Sequence, residues 1–257
     1  MSTRPSTPKY RLYPAYCFRA SPTFDAWVKL TAADIQALRY EPEFPGQQIY
    51  FHLNHPIRYV CLVGVVVAIE DINARYTVLT VDDGSGATIE VKIVRITPDV
   101  YDPETNPSNT TVANINVISR IGVFEVSIDG HSLDIGTVVK AKGTLSEFRG
   151  AKQLELKRIT VVSSTDKEAK AWADAAAYKR NVLAKPWHLS SAEHRKIKSD
   201  LKSEKQRNRN YELRKAEYDA KKQKHRDARA QYMAQRKVKL EARRRKEEVM
   251  MNAGALI

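Results

Sequence analysis

Between residues 47 and 162 apolar side chains recur with the period of two that marks β-strands, interrupted by turn residues. The first run, 55–69, is apolar at both alternating positions. That fits a strand buried on both faces or shared between two sheets. Gly64 lies inside it, where a strong bend is easiest. Runs 75–81 and 87–95 flank Asp82-Asp83-Gly84-Ser85-Gly86 and predict a hairpin, with Thr77, Leu79, Val81, Ile89, Val91 and Ile93 as its inward set. Val123–Ile128 and 133–135 flank Asp129-Gly130, a second hairpin. Runs 138–145 and 153–162 are two more strands, joined through 147–152. Residues 97–121 hold four Asn with Pro98, Pro103 and Pro107, and read as a connection with little regular structure before Val112.

The flanks follow other patterns. Residues 1–9 are polar and expected to be disordered. Residues 10–46 form an extension rich in aromatics and prolines. Within it, Thr31 to Leu38 predicts a short helix in which Thr31 accepts the Asp34 amide, with Pro42 and Pro45 as stops. Residues 165–184 predict an Ala-rich helix capped by Thr165, with Glu168 completing a capping box and Pro186 ending it. Residues 190–257 are rich in Lys, Arg, Glu and Gln without a sustained apolar heptad, a solvated helix or a disordered arm. The whole is an all-β core with flanking helices. Five strands over 47–162 in this order form a Greek-key barrel, the OB-fold, followed by a C-terminal helix and a charged tail.

Charge sharpens the division. The net charge of the 257 residues is +13, and 190–257 contribute 21 Lys/Arg against 10 Asp/Glu, so the body is nearly neutral and the tail strongly basic. No apolar run approaches the ~18–20 residues of a membrane span, and the N-terminus lacks the apolar core of a signal peptide. Cys17 and Cys61 make no C-x-x-C pair, which argues against a structural zinc or a disulfide framework and fits a reducing compartment, cytosol or nucleus.

OB-folds often bind oligonucleotides on their second and third strands. Here Tyr76, Lys92 and Arg95 belong to those strands, and Lys140, Lys142, Phe148, Arg149, Lys152 and Lys157 to the later ones and their loop. A ring for stacking beside dispersed cations is what a single-strand groove needs; an ordinary surface with extended lysines is the alternative. On the helix, Ala169, Trp172, Ala173, Ala176 and Leu183 form one stripe with Tyr178 and Val182 beside it. This is wider than one barrel mouth needs, so a partner surface is favoured over a core role. Asp82 and Asp83 read as turn residues, His52 and His55 lack a third metal ligand, Cys61 reads as core, and Ser85 has no nucleophile elbow around it. The expectation is a non-enzymatic protein with no cofactor and no metal.

Three segments resemble the fungal Stn family (suppressor of cdc thirteen): residues 55–64, HPIRYVCLVG; residues 79–89, LTVDDGSGATI; and residues 138–143, VVKAKG. Tyr13-Pro14-x-Tyr16-Cys17-Phe18, residues 27–35 and Arg180-x-Val182-Leu183-x-Lys185-Pro186-Trp187 match as well, so the resemblance spans roughly 10–189. The family supplies the middle OB-fold subunit of the telomere-capping CST complex. It implies a nuclear role at chromosome 3′ overhangs and single-stranded telomeric DNA as ligand. It also implies a small Ten-type OB subunit and a larger CST OB subunit as partners, restraint of telomere elongation, and promotion of fill-in synthesis by DNA polymerase alpha–primase. Two departures stand out. Relatives often carry C-terminal winged-helix domains where this chain has its charged tail, and animal relatives often place an aromatic near the end of the third strand, where this chain has Ile93. The alternatives are a factor like the middle subunit of replication protein A and an OB scaffold that binds only proteins.

Overall fold

The computed structural model describes residues 10–96 and 107–254. The expected disorder of 1–9, and Pro98 and Pro103 of the connection, lie outside the described residues. The chain divides into two units, Met1–Ser191 and Ala192–Ile257.

The first unit runs β1 (Val28–Lys29), α1 (Ala32–Gln36), β2 (Arg39–Tyr40), β3 (Tyr50–His52), β4 (His55–Ile57), β5 (Tyr59–Asn73), β6 (Tyr76–Asp82), β7 (Thr88–Val94), β8 (Ile115–Arg120), β9 (Val123–Ile128), β10 (His131–Ser132), β11 (Val138–Phe148), β12 (Ala151–Val161) and α2 (Thr165–Tyr178). Five of these strands close on themselves. β5 pairs with β6, β6 with β7, β7 in parallel with β12, β12 with β11, and β11 returns to β5. Closure depends on the length of β5, which serves β11 up to Val65 and β6 from Val65 to Asn73. Gly64 stands at the changeover. A Cβ there would lie 2.5 Å from the Asp82 carbonyl oxygen, so only glycine lets the two backbones come this close. This is the five-stranded OB-fold barrel.

Its core is the inward set of the hairpin. Thr77, Leu79, Val81, Ile89, Val91 and Ile93 are all fully buried, alternating with outward Tyr76, Thr80, Glu90 and Lys92. The Asp82–Gly86 turn also docks α1. Asp83 accepts a 2.8 Å hydrogen bond from the Ala32 amide and Ser85 Oγ a 3.1 Å bond from the Ala33 amide, while Thr31 Oγ1 accepts from Asp34 at 3.2 Å. Asp83 and Ser85 of the turn thus serve the free backbone donors of the helix start.

Several expectations need correction. The run 55–69 is two strands, broken at Arg58: β4 joins a small sheet with β2 and β3, and β5 enters the barrel. α1 stops at Gln36, before Pro42, because Arg39 and Tyr40 are taken into pairing with β3. Within the connection, Ile115–Arg120 is a strand, paired along its length with β9 and burying Ile115 and Val117. The link between β11 and β12 is only Arg149-Gly150, both at positive φ (51° and 81°), as a tight two-residue hairpin turn requires. The cap of α2 is Ser164, not Thr165: Ser164 is extended and its hydroxyl accepts from the Lys167 amide.

The aromatic extension builds a second, smaller core from Phe18, Phe44, Ile49 and Phe51, with Leu12 and Phe24 against it. Its rings meet edge-on or tilted, Phe18 and Phe44 at 5.0 Å. The segment after α2 closes over the same region. Asn54 both donates to the Trp187 carbonyl and accepts from its amide, Trp187 packs on Tyr13 at 4.8 Å, and the Leu189 amide donates to Tyr13 Oη.

The second unit is described by one helix, α3 (Ser191–Gly254), exposed along nearly its whole length. Among the described residues no helix is long and apolar enough to cross a membrane.

Candidate nucleic-acid interface and interface helix

On the outward face of β6, β7 and β12 one row of side chains runs across the strands. The Arg75 guanidinium sits 5.8 Å from the Tyr76 ring centre and the Lys92 ammonium 5.5 Å from it, so the ring lies among cations. The register brings this about, with Tyr76 opposite Val94 and Lys92 opposite Glu155 across the parallel pair. Glu155 Oε2 is 3.7 Å from Lys92 Nζ, and Lys157 Nζ donates to Glu155 Oε1 at 2.6 Å. The Lys157 hydrogen bond, with both lysine charges, holds the Glu155 carboxyl below the ordinary carboxylate range despite its partial burial. Arg75 opens the 75–81 run in the sequence, and its place beside the neighbouring ring shows only in the folded strand.

The other candidates of the nucleic-acid set lie elsewhere. Arg95 turns inward, its side chain only 9% exposed; it donates to Thr77 Oγ1 and pairs with Asp71, which also accepts from Ser119. It ties β5, β6 and the β8–β9 hairpin together, a structural task that takes it out of the row. Lys152 is likewise held: its ammonium donates to the Gln36 carbonyl at 3.0 Å and lies 5.6 Å from the Tyr50 ring centre, anchoring α1. Phe148 and Arg149 stand together at the tip of the β11–β12 hairpin, the guanidinium 5.1 Å from an exposed ring. Lys140 and Lys142 belong to the opposite flank, where β11 pairs with β5. There Lys142 lies 5.7 Å from the Trp27 ring, which meets Tyr59 edge-on at 5.3 Å beneath the Arg58 guanidinium. This second aromatic–cation group was hidden from sequence reading because Trp27 reaches the barrel only through the parallel pairing of β1 with β5.

α2 packs over the same flank. Lys29 pairs with Asp174 at 2.8 Å and Lys179 with Asp34 at 2.7 Å, closing a hollow of about 300 Å³ whose walls include Cys61, Lys140, Trp172, Ala175 and Ala176. The expected stripe divides. Ala169, Trp172, Ala173 and Ala176 are exposed; Trp172, at 50%, is not a core residue. Tyr178 and Val182 pack against the barrel core and Leu183 is fully buried in it, which removes Leu183 from any surface. The reason is a π-helical turn, Lys179–Leu183, that follows α2 and shifts the facing of the last residues by part of a turn. Burial keeps the Cys61 thiol above its usual value and the imidazoles of His52 and His55 below theirs. Among the described residues no cluster of His, Cys, Asp or Glu is arranged to hold a metal ion.

Comparison with known proteins agrees with this picture. The family model described as "Telomere regulation protein Stn1" matches residues 13–97. "Protein stn1" of Schizosaccharomyces pombe is 26% identical over 182 residues, covering 71% of this chain and 46% of that one. "CST complex subunit STN1" of Rattus norvegicus is 26% identical over 151 residues, 58% of this chain and 36% of the relative. The chain therefore spans less than half the length of these curated relatives. Among solved structures, a crystal structure of yeast Stn1 and Ten1 superposes with a TM-score of 0.52 at 16% identity, over 74% of this chain and 91% of that one, and shares the fold. The resemblance to the Stn1 family read from the motifs stands, carried in sequence by residues 13–97 and in structure by an OB-fold barrel.

Proposed function

We propose that this chain acts at telomeres in the nucleus as the Stn1-type subunit of a CST-like complex, binding single-stranded DNA and partner subunits without catalysing a reaction. The observation that carries the reading is where the family match falls. Residues 13–97 include the β6–β7 strands and the Arg75–Tyr76–Lys92 row, the surface on which OB-folds bind oligonucleotides. The relatives are named for telomere regulation and for membership of the CST complex, and the yeast neighbour was crystallised with Ten1. By that analogy the small OB partner docks on the exposed side of α2 around Trp172, and the larger subunit and DNA polymerase alpha–primase are further partners. The same analogy supports a site of action at chromosome ends.

Salt-dependent binding tests the DNA part. Tyr76→Ala is expected to weaken single-strand binding by ~1–3 kcal/mol, the usual worth of one base stacked on a ring. Lys92→Glu is expected to flatten the salt dependence, which is ~0.7 in log K per phosphate neutralised. If both variants bind like the parent at low and moderate salt, the row is not the groove.

A protein-only barrel is the second reading, and Glu155 favours it: its carboxylate already occupies Lys92 and Lys157. Single-strand binding left unchanged by Tyr76→Ala and Lys92→Glu would support it.

A further inference from the structure

The basic tail has an order that its composition conceals. α3 is one continuous helix from Ser191 to Gly254. At 3.6 residues per turn a seven-residue step lags by about 20°, so residues seven apart stay on nearly one line. Lys215, Lys222, Arg229, Arg236 and Arg243 follow one another at that step. Four residues before them run Tyr211, Tyr218, His225 and Tyr232, also seven apart and on the same side of the helix. The three tyrosines are exposed at 68%, 65% and 64%. Tyr218, Lys221, Lys222 and His225 line one shallow surface hollow, so rings and cations do share a side.

The acids are kept away from it. Between Arg207 and Lys246 the carboxylates are Glu212, Glu217, Asp219, Asp227 and Glu241, and on the helical wheel every one falls outside the strip that holds the two lines. Of the ion pairs seen on the helix, Arg245–Glu241 lies well off the strip, whereas Arg243–Glu247 closes its C-terminal end, Glu247 following on the same line one residue past Lys246. Over about 60 Å of helix, at 1.5 Å per residue, one side is cationic and aromatic with no negative charge.

We infer that this side of α3 is a second, separate contact for single-stranded nucleic acid, the cations neutralising phosphates and the tyrosines stacking on bases. Other occupants fit less well. A second copy of the helix would bring like charges together along its length. A bilayer surface needs a continuous apolar face, whereas the exposed apolar residues scatter round the helix, Leu213 and Val238 opposite the tyrosines and Met233 and Leu240 among them. A polyanion matches the charge, and rings interleaved with cations are what a single strand uses and a duplex does not.

The test uses the full chain carrying Tyr76→Ala and Lys92→Glu, so that any binding left is not the barrel row's. Two charge-matched triples are built on it. Lys222→Glu/Arg229→Glu/Arg236→Glu alters the strip, and Arg209→Glu/Lys224→Glu/Arg245→Glu alters the opposite side. Anisotropy with a labelled mixed-sequence single-stranded oligonucleotide is read across salt concentrations, with circular dichroism as the helix control. The strip triple is expected to lose at least tenfold in affinity and to lower the salt slope by about two. The opposite triple is expected to lose less than threefold. Tyr211→Ala/Tyr218→Ala/Tyr232→Ala is expected to lose at least tenfold on the single strand and little on a duplex of the same sequence. Equal losses from the two triples would mean net charge alone and overturn the inference. So would an unchanged tyrosine variant, or oligonucleotide binding absent while an acidic polypeptide binds. None of these outcomes depends on whether the barrel row binds DNA.

Discussion

Glu155 sits between two lysines of the proposed groove, 3.7 Å from Lys92 Nζ on β7 and accepting a 2.6 Å hydrogen bond from Lys157 on its own strand. The pair adds little to stability, since partly exposed ion pairs are worth ~0–1 kcal/mol. Its consequence is electrostatic: the carboxylate stays charged to lower pH than usual and lowers the positive potential beside Tyr76.

Glu155→Gln should therefore tighten single-strand binding by about two- to fivefold at low salt, with the gain shrinking as salt screens it. Anisotropy titrations at two ionic strengths check this. No gain at low salt would place the nucleic acid away from Lys92.

Gly64 makes a second prediction. A Cβ at this position meets the Asp82 carbonyl at 2.5 Å and a Val81 methyl at 2.8 Å, and neither can move without opening the β5–β6 seam. Gly64→Ala should cost about 1–3 kcal/mol in chemical denaturation, the range for overfilling a packed site. A variant as stable as the parent would show that the barrel is not closed here.

These two residues illustrate what was readable in advance. The alternating hairpin, its inward set and the turn at Asp82–Gly86 follow from local pattern, and the folded barrel keeps them. What escaped depends on long-range pairing. Ile115–Arg120 alternates too weakly to announce a strand until Val123–Ile128 lies beside it. Arg95 and Lys152 look like free cations in sequence, yet Asp71 and the Gln36 carbonyl, remote along the chain, claim them. The facing of Leu183 could not be read because a π-turn breaks the 3.6-residue period that placed it on the stripe.

The buried histidines give a pH dependence. His55 is 2% exposed; its Nε2 donates to the Lys185 carbonyl at 2.8 Å and its Nδ1 has no partner among the described residues, so the folded site holds the neutral ring. Burial sets both His55 and His52 below the ordinary value near 6.5. The unfolded chain therefore takes up protons first. The stability tied to these rings is complete above pH ~6.5 and is lost as pH falls through the folded values. Denaturation midpoints should drop between pH 7.5 and 5.5, and His55→Gln, which keeps a donor but does not titrate, should flatten the drop. An unchanged slope would mean that His55 protonates without cost.

The last prediction separates partner binding from folding along α2. The helix is held to the barrel by the Lys29–Asp174 and Lys179–Asp34 pairs and by Tyr178, Val182 and Leu183 beyond its end. Trp172 belongs to neither set. Half of its surface is open, it borders the hollow lined by Ala175 and Ala176, and among the described residues no aromatic ring packs against it. A tryptophan left in this state loses little when truncated in the free protein and much when truncated in a complex, because its remaining surface is buried only there. Trp172→Ala should weaken binding of the small OB partner by ~2 kcal/mol or more, about thirty-fold, with an unchanged melting temperature. Leu183→Ala should do the reverse. It removes a fully buried side chain, should cost ~2–5 kcal/mol of stability, and should leave partner affinity intact per folded molecule. Calorimetry with the purified partner, alongside thermal melts of both variants, measures the two effects separately. A Trp172→Ala chain that melts early and binds in proportion to its folded fraction would return the tryptophan to the core. The exposed side of α2 would then no longer be the docking surface.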